Sequence, residues 1–194
     1  IPIRTTLPIL SCALIETKEN KIEIKTTDLE QTIIVSCDAK IIEKGETAIP
    51  INKLIEITTA LKSGSFDVFI TENKEVEINN LNGSYKITSR DPEEFPEVPK
   101  TTTAKKIEIN SKHLLNIINN TGYAASKDDL KPALCGVLFL FEDKKITTVA
   151  TDGHKLVKHE EETTKQTNEK TSIVLPLKFL NIVKGITNPT KTIK

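Results

Sequence analysis

Pro132-Ala-Leu-Cys-Gly-Val-Leu-Phe-Leu-Phe-Glu-Asp-Lys-Lys-Ile-Thr-Thr-Val-Ala-Thr-Asp152 decides the fold, because it occurs twice. Moved back by 124 positions, from Pro132 to Pro8, it lies without a gap on Pro8-Ile-Leu-Ser-Cys-Ala-Leu-Ile-Glu-Thr-Lys-Glu-Asn-Lys-Ile-Glu-Ile-Lys-Thr-Thr-Asp28. Pro8/Pro132, Leu10/Leu134, Leu14/Leu138, Lys21/Lys145, Ile22/Ile146, Thr27/Thr151 and Asp28/Asp152 are identical, and most other pairs keep their apolar or polar character. A gapless match of this length implies one supersecondary unit used twice. Each copy reads as an apolar strand, a tight polar turn (Lys18 to Asn20, Glu142 to Lys144) and a second strand ending in Thr-Asp.

The repeat spacing divides the 194 residues into two domains, 1–100 and 101–194. With 37 % apolar residues each can bury an ordinary core. No apolar run approaches the roughly 18 residues of a membrane span, and no charged leader precedes an apolar run. Trp is absent and only two Tyr and six Phe occur, so the cores rest on Ile, Leu and Val, a composition that favours strands. The three cysteines, Cys12, Cys37 and Cys135, are far apart and form no CxxC; they read as buried reduced thiols of a cytoplasmic protein. His113, His154 and His159 have no metal-ligand spacing, and neither a metal nor a cofactor is expected.

Ile1 opens a chain that contains no Met. The second copy is preceded by a strand at 106–110, by Ser111 as N-cap and by a helix over 112–121 stopped at Gly122, whereas the first copy has no such lead-in. A strand and a helix are therefore expected upstream of the first domain. Strands are predicted over 31–37 and 46–49. Pro50 opens a helix over 51–63 closed by Gly64, and strands follow at 66–70, 76–78 and 85–87, the last two flanking an Asn82-Gly83 hairpin pair. The acidic, proline-bearing stretch Asp91 to Pro99 and the polar 101–104 form the linker. Lys158 to Thr171 reads as a charged loop, and Thr171 to Pro176 as a strand before a helix over 177–185 with Gly185 as its stop. The second domain is expected to lack its closing strands within 1–194.

Formal charge is zero, with 27 basic and 27 acidic residues, yet the charge is unevenly placed. The three predicted helices carry Lys53, Lys62, Lys112, Lys178 and Lys184 against Glu56 alone. On 112–121, Leu114, Leu115 and Ile118 share one face, while Lys112, Asn116, Asn119 and Asn120 share the other. On 177–185, Phe179, Leu180 and Val183 face inward, with Lys178, Asn181 and Lys184 outside. Any one of these lysines is accounted for by a solvated face. Three helices all lysine- and amide-bearing on their exposed sides suit sequence-independent contact with phosphate oxygens.

Arg4-Thr-Thr-Leu-Pro-Ile-Leu10, Thr27-Asp-Leu-Glu30, the Phe-Pro of Asp91 to Pro96, Lys131-Pro-Ala-Leu-Cys-Gly-Val-Leu-Phe139, Ala150-Thr-Asp-Gly-His-Lys-Leu156 and Ile173-Val-Leu-Pro176 together resemble the bacterial DNA polymerase III β subunit, the replicative sliding clamp. The resemblance runs over nearly the whole chain and implies most of two of that family's three domains. It implies an α+β fold of duplicated clamp domains, antiparallel sheets outside and helices lining a hole for duplex DNA, closed as a head-to-tail homodimer ring. It further implies DNA-facing roles for Arg4, Lys53, Lys112, Lys131, Lys178 and Lys184. A peptide pocket would use Leu134, Thr151, Gly153, His154, Lys155 and Leu156, with Lys155 standing where Arg is common. Tyr85 and Ile87 would lie on the edge strand that meets the neighbouring protomer. The implied partners are double-stranded DNA, the DNA polymerase III catalytic subunit, the clamp loader and other proteins bearing clamp-binding motifs.

Two rival readings are compatible with parts of the sequence. Asp152 and His154 could supply acid–base chemistry. Asp28, however, repeats Asp152 in a copy where Leu29-Glu30 replace Gly-His, so a turn-closing role fits both and no nucleophile accompanies them. The other alternative is a duplicated protein-interaction scaffold that does not encircle DNA, against which the helix charges speak.

Overall fold

The computed structural model describes residues 7–61, 64–71, 73–81, 83–98, 107–162, 170–187 and 192–193. The chain divides into two compact units, Ile1–Lys100 and Thr101–Lys194.

In the first unit a short 3-10 turn, Pro8–Ser11, leads into β1 (Cys12–Thr17), β2 (Lys21–Thr27), β3 (Thr32–Asp38) and β4 (Glu46–Pro50). These form an antiparallel sheet in the order β3-β2-β1-β4. α1 (Ile51–Ala60) follows, then a three-stranded sheet of β5 (Asp67–Ile70), β6 (Glu75–Asn80) and β7 (Gly83–Thr88). The second unit contains β8 (Ile109–Asn110), α2 (Ser111–Thr121), β9 (Gly136–Glu142), β10 (Lys145–Thr151), β11 (Leu156–Glu162), β12 (Thr171–Pro176), α3 (Leu177–Ile186) and β13 (Thr192–Ile193). Its large sheet runs β11-β10-β9-β12, and β13 pairs with β8.

The repeat is exact in register. Thr17 faces Ile22 across β1/β2, and Phe141 faces Ile146 across β9/β10, each residue displaced by 124 positions. The same displacement carries the β2/β3 pair Lys21–Asp38 onto the β10/β11 pair Lys145–Glu162. A one-residue slip would turn every side chain to the opposite face, so the apolar alternation pins both copies alike. Before β12 the displacement becomes 126, since Cys12 faces Pro50 and Gly136 faces Pro176.

The second unit's core gathers Leu114, Ile117 and Ile118 of α2, Val137, Phe139 and Phe141 of β9, Ile146 and Ala150 of β10, and Leu180 of α3. The first unit has two clusters. One joins Ile9, Leu10, Cys12, Leu14, Ala48 and Phe95. The other joins Ile49, Val76, Ile78 and Ile87. Burial pushes the Cys12 thiol up, which suits an inert side chain.

Several sequence expectations are corrected. The segment from Lys158 is not a loop: β11 runs to Glu162, because Leu156 to Glu162 alternates across the strand and Lys145 and Lys158 both pair with Glu160, at 2.7 and 2.8 Å. Residues 163–169 lie outside the described residues. The N-cap of α2 is Asn110, whose side chain accepts from the Lys112 N–H at 2.9 Å; Ser111 is the first helical residue. Gly122 remains right-handed (φ −57°) and carries the chain into a 3-10 turn, Gly122–Ala124. A Cβ there would meet Leu177 Cδ1 at 3.1 Å, so this glycine serves helix packing. α3 passes through Gly185 to Ile186, and α1 ends at Ala60 with Leu61 already extended. Gly83 is a strand residue paired with Asn80 rather than a turn residue, and Asn82 lies outside the described residues. Ile117 is buried where Leu115 was expected, Phe179 is exposed, and Cys37 lies exposed on edge strand β3.

Candidate nucleic-acid and peptide interfaces

Thr151 to Leu156 form the turn between β10 and β11. Asp152 Oδ1 accepts from the N–H groups of His154 and Lys155 at 3.0 and 2.9 Å, and Oδ2 lies 2.6 Å from Lys155 Nζ. Thr151 Oγ1 donates to the Lys155 carbonyl at 2.7 Å and accepts from the Gly153 N–H at 3.1 Å. Gly153 has φ +93°, a conformation that glycine adopts without a Cβ penalty. The Lys155 ammonium and the two N–H groups hold the Asp152 carboxyl well below the usual carboxylate range.

The first unit builds the same turn from different residues. Asp28 Oδ1 accepts from the Glu30 and Gln31 N–H groups at 3.1 and 2.8 Å, and Thr27 Oγ1 donates to the Gln31 carbonyl at 3.0 Å. The Leu29 N–H donates to Thr27 Oγ1 at 3.1 Å, with Leu29 at φ +75°. A carboxylate engaged by three donors and repeated where no histidine follows is a turn closer, not a general base. Among the described residues no group of three or more His, Cys, Asp or Glu is placed to hold a metal ion.

Of the pocket residues read from the sequence, five are thereby brought onto one turn: Thr151, Gly153, His154, Lys155 and Leu156. Leu156 is 66 % exposed and faces Thr151 in the strand register. Leu134 closes the 3-10 turn Pro132–Leu134 that leads into β9, the neighbour of β10, and is half-buried. In the first unit Tyr85 and Ile87 lie on β7, an edge of the three-stranded sheet. Ile87 is buried in the core, while Tyr85 is half-buried and packs against it.

Arg4 and Lys62 lie outside the described residues. Lys53 is exposed on α1 and pairs with Glu56 at 2.9 Å, which offsets its charge locally. In the second unit Lys112 on α2, Lys131 before the 3-10 turn, and Lys178 and Lys184 on α3 are all exposed. The α2 face also holds a carboxylate absent from the sequence reading. Glu161 of β11 accepts from Asn116 Nδ2 at 3.2 Å and lies 3.0 Å from His159 Nε2. The charged run 158–171 reads as loop from the sequence, which leaves Glu161 out of any site. The period of two through Leu156-Val-Lys-His-Glu-Glu-Glu162, and its alignment on the predicted strand of the first copy, were the signals that could have found it.

This duplicated fold, with its antiparallel sheets and lysine-bearing helices, is that of the sliding clamps. A putative DNA polymerase III β subunit from Eubacterium rectale superposes with a TM-score of 0.92 at 24 % identity, over 97 % of this chain and 51 % of that one. The Bacillus subtilis sliding clamp gives 0.90 at 20 % identity, over 98 % and 53 %. Residues 1–99 match the DNA polymerase III beta subunit, N-terminal domain, and residues 108–194 its central domain, so the chain belongs to the DNA polymerase III beta subunit family. Beta sliding clamps of Chlamydia pneumoniae and Staphylococcus epidermidis are 25 % and 27 % identical to it, each over 92 % of this chain and 49 % of the relative. The chain thus spans about half the length of the curated relatives it matches.

Proposed function

We propose that this chain is part of a sliding clamp, a non-catalytic processivity factor that encircles duplex DNA and tethers the replicative polymerase. Membership of the β-subunit family across both units is the observation that carries this reading. The lysine and amide faces of the helices support it, since side chains of that kind engage phosphate oxygens without reading base edges. Such contacts weaken with salt and have to stay weak, because a clamp held by topology slides only if no single contact arrests it. Arg4, Lys53, Lys112, Lys131, Lys178 and Lys184 are assigned to the DNA side.

The 151–156 turn with Leu134 is assigned to the docking of short apolar motifs from the polymerase III catalytic subunit, the clamp loader and other clamp-binding proteins. The complete domain is taken to be larger than either unit as described. The second unit opens with β8 and α2, the first closes with β6 and β7, and one clamp domain would hold all of these. In the whole protein the β7 edge would pair with a neighbouring protomer to close a homodimer ring, in the cytoplasm. Among the described residues no helix is long and apolar enough to cross a membrane.

The experiment is retention of the full-length protein, loaded by its clamp loader, on circular against linear duplex. A clamp stays on the circle and is lost from free ends, with Lys178→Glu reducing loading. Equal retention on both would favour a scaffold that does not encircle DNA. For the pocket, Leu156→Ala is expected to weaken a motif peptide by about tenfold, as losing one buried leucine contact implies. Unchanged peptide affinity would remove Leu156 from the site.

A further inference from the structure

We propose that Glu161 is a positioning residue of the α2 interface: its carboxylate orients the Asn116–Asn120 amide pair and lowers the positive charge that this helix presents to phosphate. The proposal rests on reading the polar face of α2 as duplex-facing.

Glu161 stands on edge strand β11, against which α2 packs, and its side chain is only 17 % exposed. Its Oε2 accepts from Asn116 Nδ2 at 3.2 Å and lies 3.0 Å from His159 Nε2, while Oε1 lies 3.5 Å from His113 Nδ1. Asn120 Nδ2 in turn donates to Asn116 Oδ1 at 3.0 Å. The carboxylate therefore fixes the Asn116 amide with its oxygen towards Asn120, and through it the orientation of Asn120.

A depression of about 450 Å³ is lined by Lys112, His113, Leu115, Asn116, Asn119 and Glu161, so the carboxylate and the α2 lysine share one concavity. A phosphate oxygen entering it meets Lys112 and the amides together with a fixed negative charge. The result is attraction held below what Lys112 alone would give. The first unit has no equivalent, since Cys37 occupies the aligned position on β3.

The test uses the 194-residue chain and a short fluorescent duplex, with binding measured as salt is raised. Removing one negative charge from a phosphate-facing surface should steepen the log–log salt dependence by about 0.9, an extra loss of about 3.5-fold in affinity between about 50 and about 200 mM salt. Glu161→Gln is expected to bind more tightly at low salt with this steeper dependence. Glu161→Asp, which keeps the charge, should retain the parental slope. Glu161→Ser supplies a second charge-removing variant, read below its melting temperature, and Lys112→Ala should shift affinity and slope in the opposite sense. If Lys112→Ala acts as expected but both charge-removing variants keep the parental slope, the role of Glu161 is refuted and the interface stands. If Lys112→Ala changes nothing either, the duplex-facing reading of α2 falls, and the role of Glu161 with it.

Discussion

The pairs Leu14–Ala48 in the first unit and Leu138–Val174 in the second occupy the same place in the same register, yet one is buried and the other open. Ala48 is 0 % exposed and Val174 46 %. Ala48 is covered by the segment that follows β7. After β7 the first unit returns along the free edge of β4, where the Arg90 N–H donates to the Ala48 carbonyl at 2.8 Å. A 3-10 turn, Pro92–Glu94, follows; Asp91 accepts at its start from the Glu93 N–H, and Lys74 pairs with Asp91 at 2.8 Å. That turn sets Phe95, only 7 % exposed, onto Ile9, Leu10, Cys12, Leu14 and Ala48. In the second unit Ala133 and Leu134 stand in place of Ile9 and Leu10. Gly136 replaces Cys12, and Val174 leans into the space a Cβ on that glycine would fill, with Cγ1 at 2.8 Å. The same strand pairing thus carries Phe95 and Cys12 over Ala48 in the first unit, and Gly136 beside Val174 in the second.

The largest expected effect tests that cover. Phe95→Ala should destabilise the first unit by about 3 kcal/mol, the range for emptying a buried aromatic site. Val174→Ala should cost less than about 1 kcal/mol, because its methyls are half solvated already. Urea unfolding followed by probes in each unit measures both, and similar costs for the two substitutions would erase the contrast. Next come the two Thr-Asp turns. Asp28→Ala and Asp152→Ala each remove hydrogen bonds to two backbone N–H groups and should cost about 1–2 kcal/mol. A much larger loss at Asp152 would assign it a role beyond the shared turn.

A smaller effect separates the third residues of those turns. Leu29 holds φ +75° and Gly153 holds φ +93° with nothing near its missing Cβ. Leu29→Gly should gain about 0.5 kcal/mol and Gly153→Ala should lose about 1 kcal/mol, both through backbone strain alone. Thermal melts of the two variants moving in the same direction would contradict it.

The smallest effect is confined to the second unit. Hydrogen bonds from Lys145 and then Lys158 lower the Glu160 pKa from 4.5 to about 2. A depressed folded-state value means the contribution is present above pH 4.5 and is lost as pH falls towards about 2. Ser36 occupies the aligned position on β3, so acid should loosen the β11 edge before the β3 edge. Carboxyl titration of Glu160 by NMR checks this, and Lys145→Ala should move its midpoint upward.

The repeat, the strand order it implies and the Thr-Asp turns were legible in the residues because each rests on local pattern. Alternation sets a strand's faces, and an Asp closing a turn needs only the next three residues. Helix ends were read less well. The stop signals at Gly122 and Gly185 rest on glycine's permissive backbone, whereas packing against Leu177 governs the first and α3 continues through the second. β11 was missed for a related reason: Lys158 to Glu162 is charged enough to read as solvent-exposed loop, and only pairing with Lys145 across the ladder makes it a strand.

By itself the amino-acid order determined the duplication, the family and the basic, amide-bearing helix faces, since these depend on residue type and spacing along one chain. Tertiary structure decided that Phe95 packs onto the β1–β4 pair of the first unit, and that Glu161 sits beside the lysine of α2. Both are contacts between residues about 45 positions apart, Phe95 with Ala48 and Glu161 with Asn116. Such contacts exist only once strand pairing has brought distant segments together.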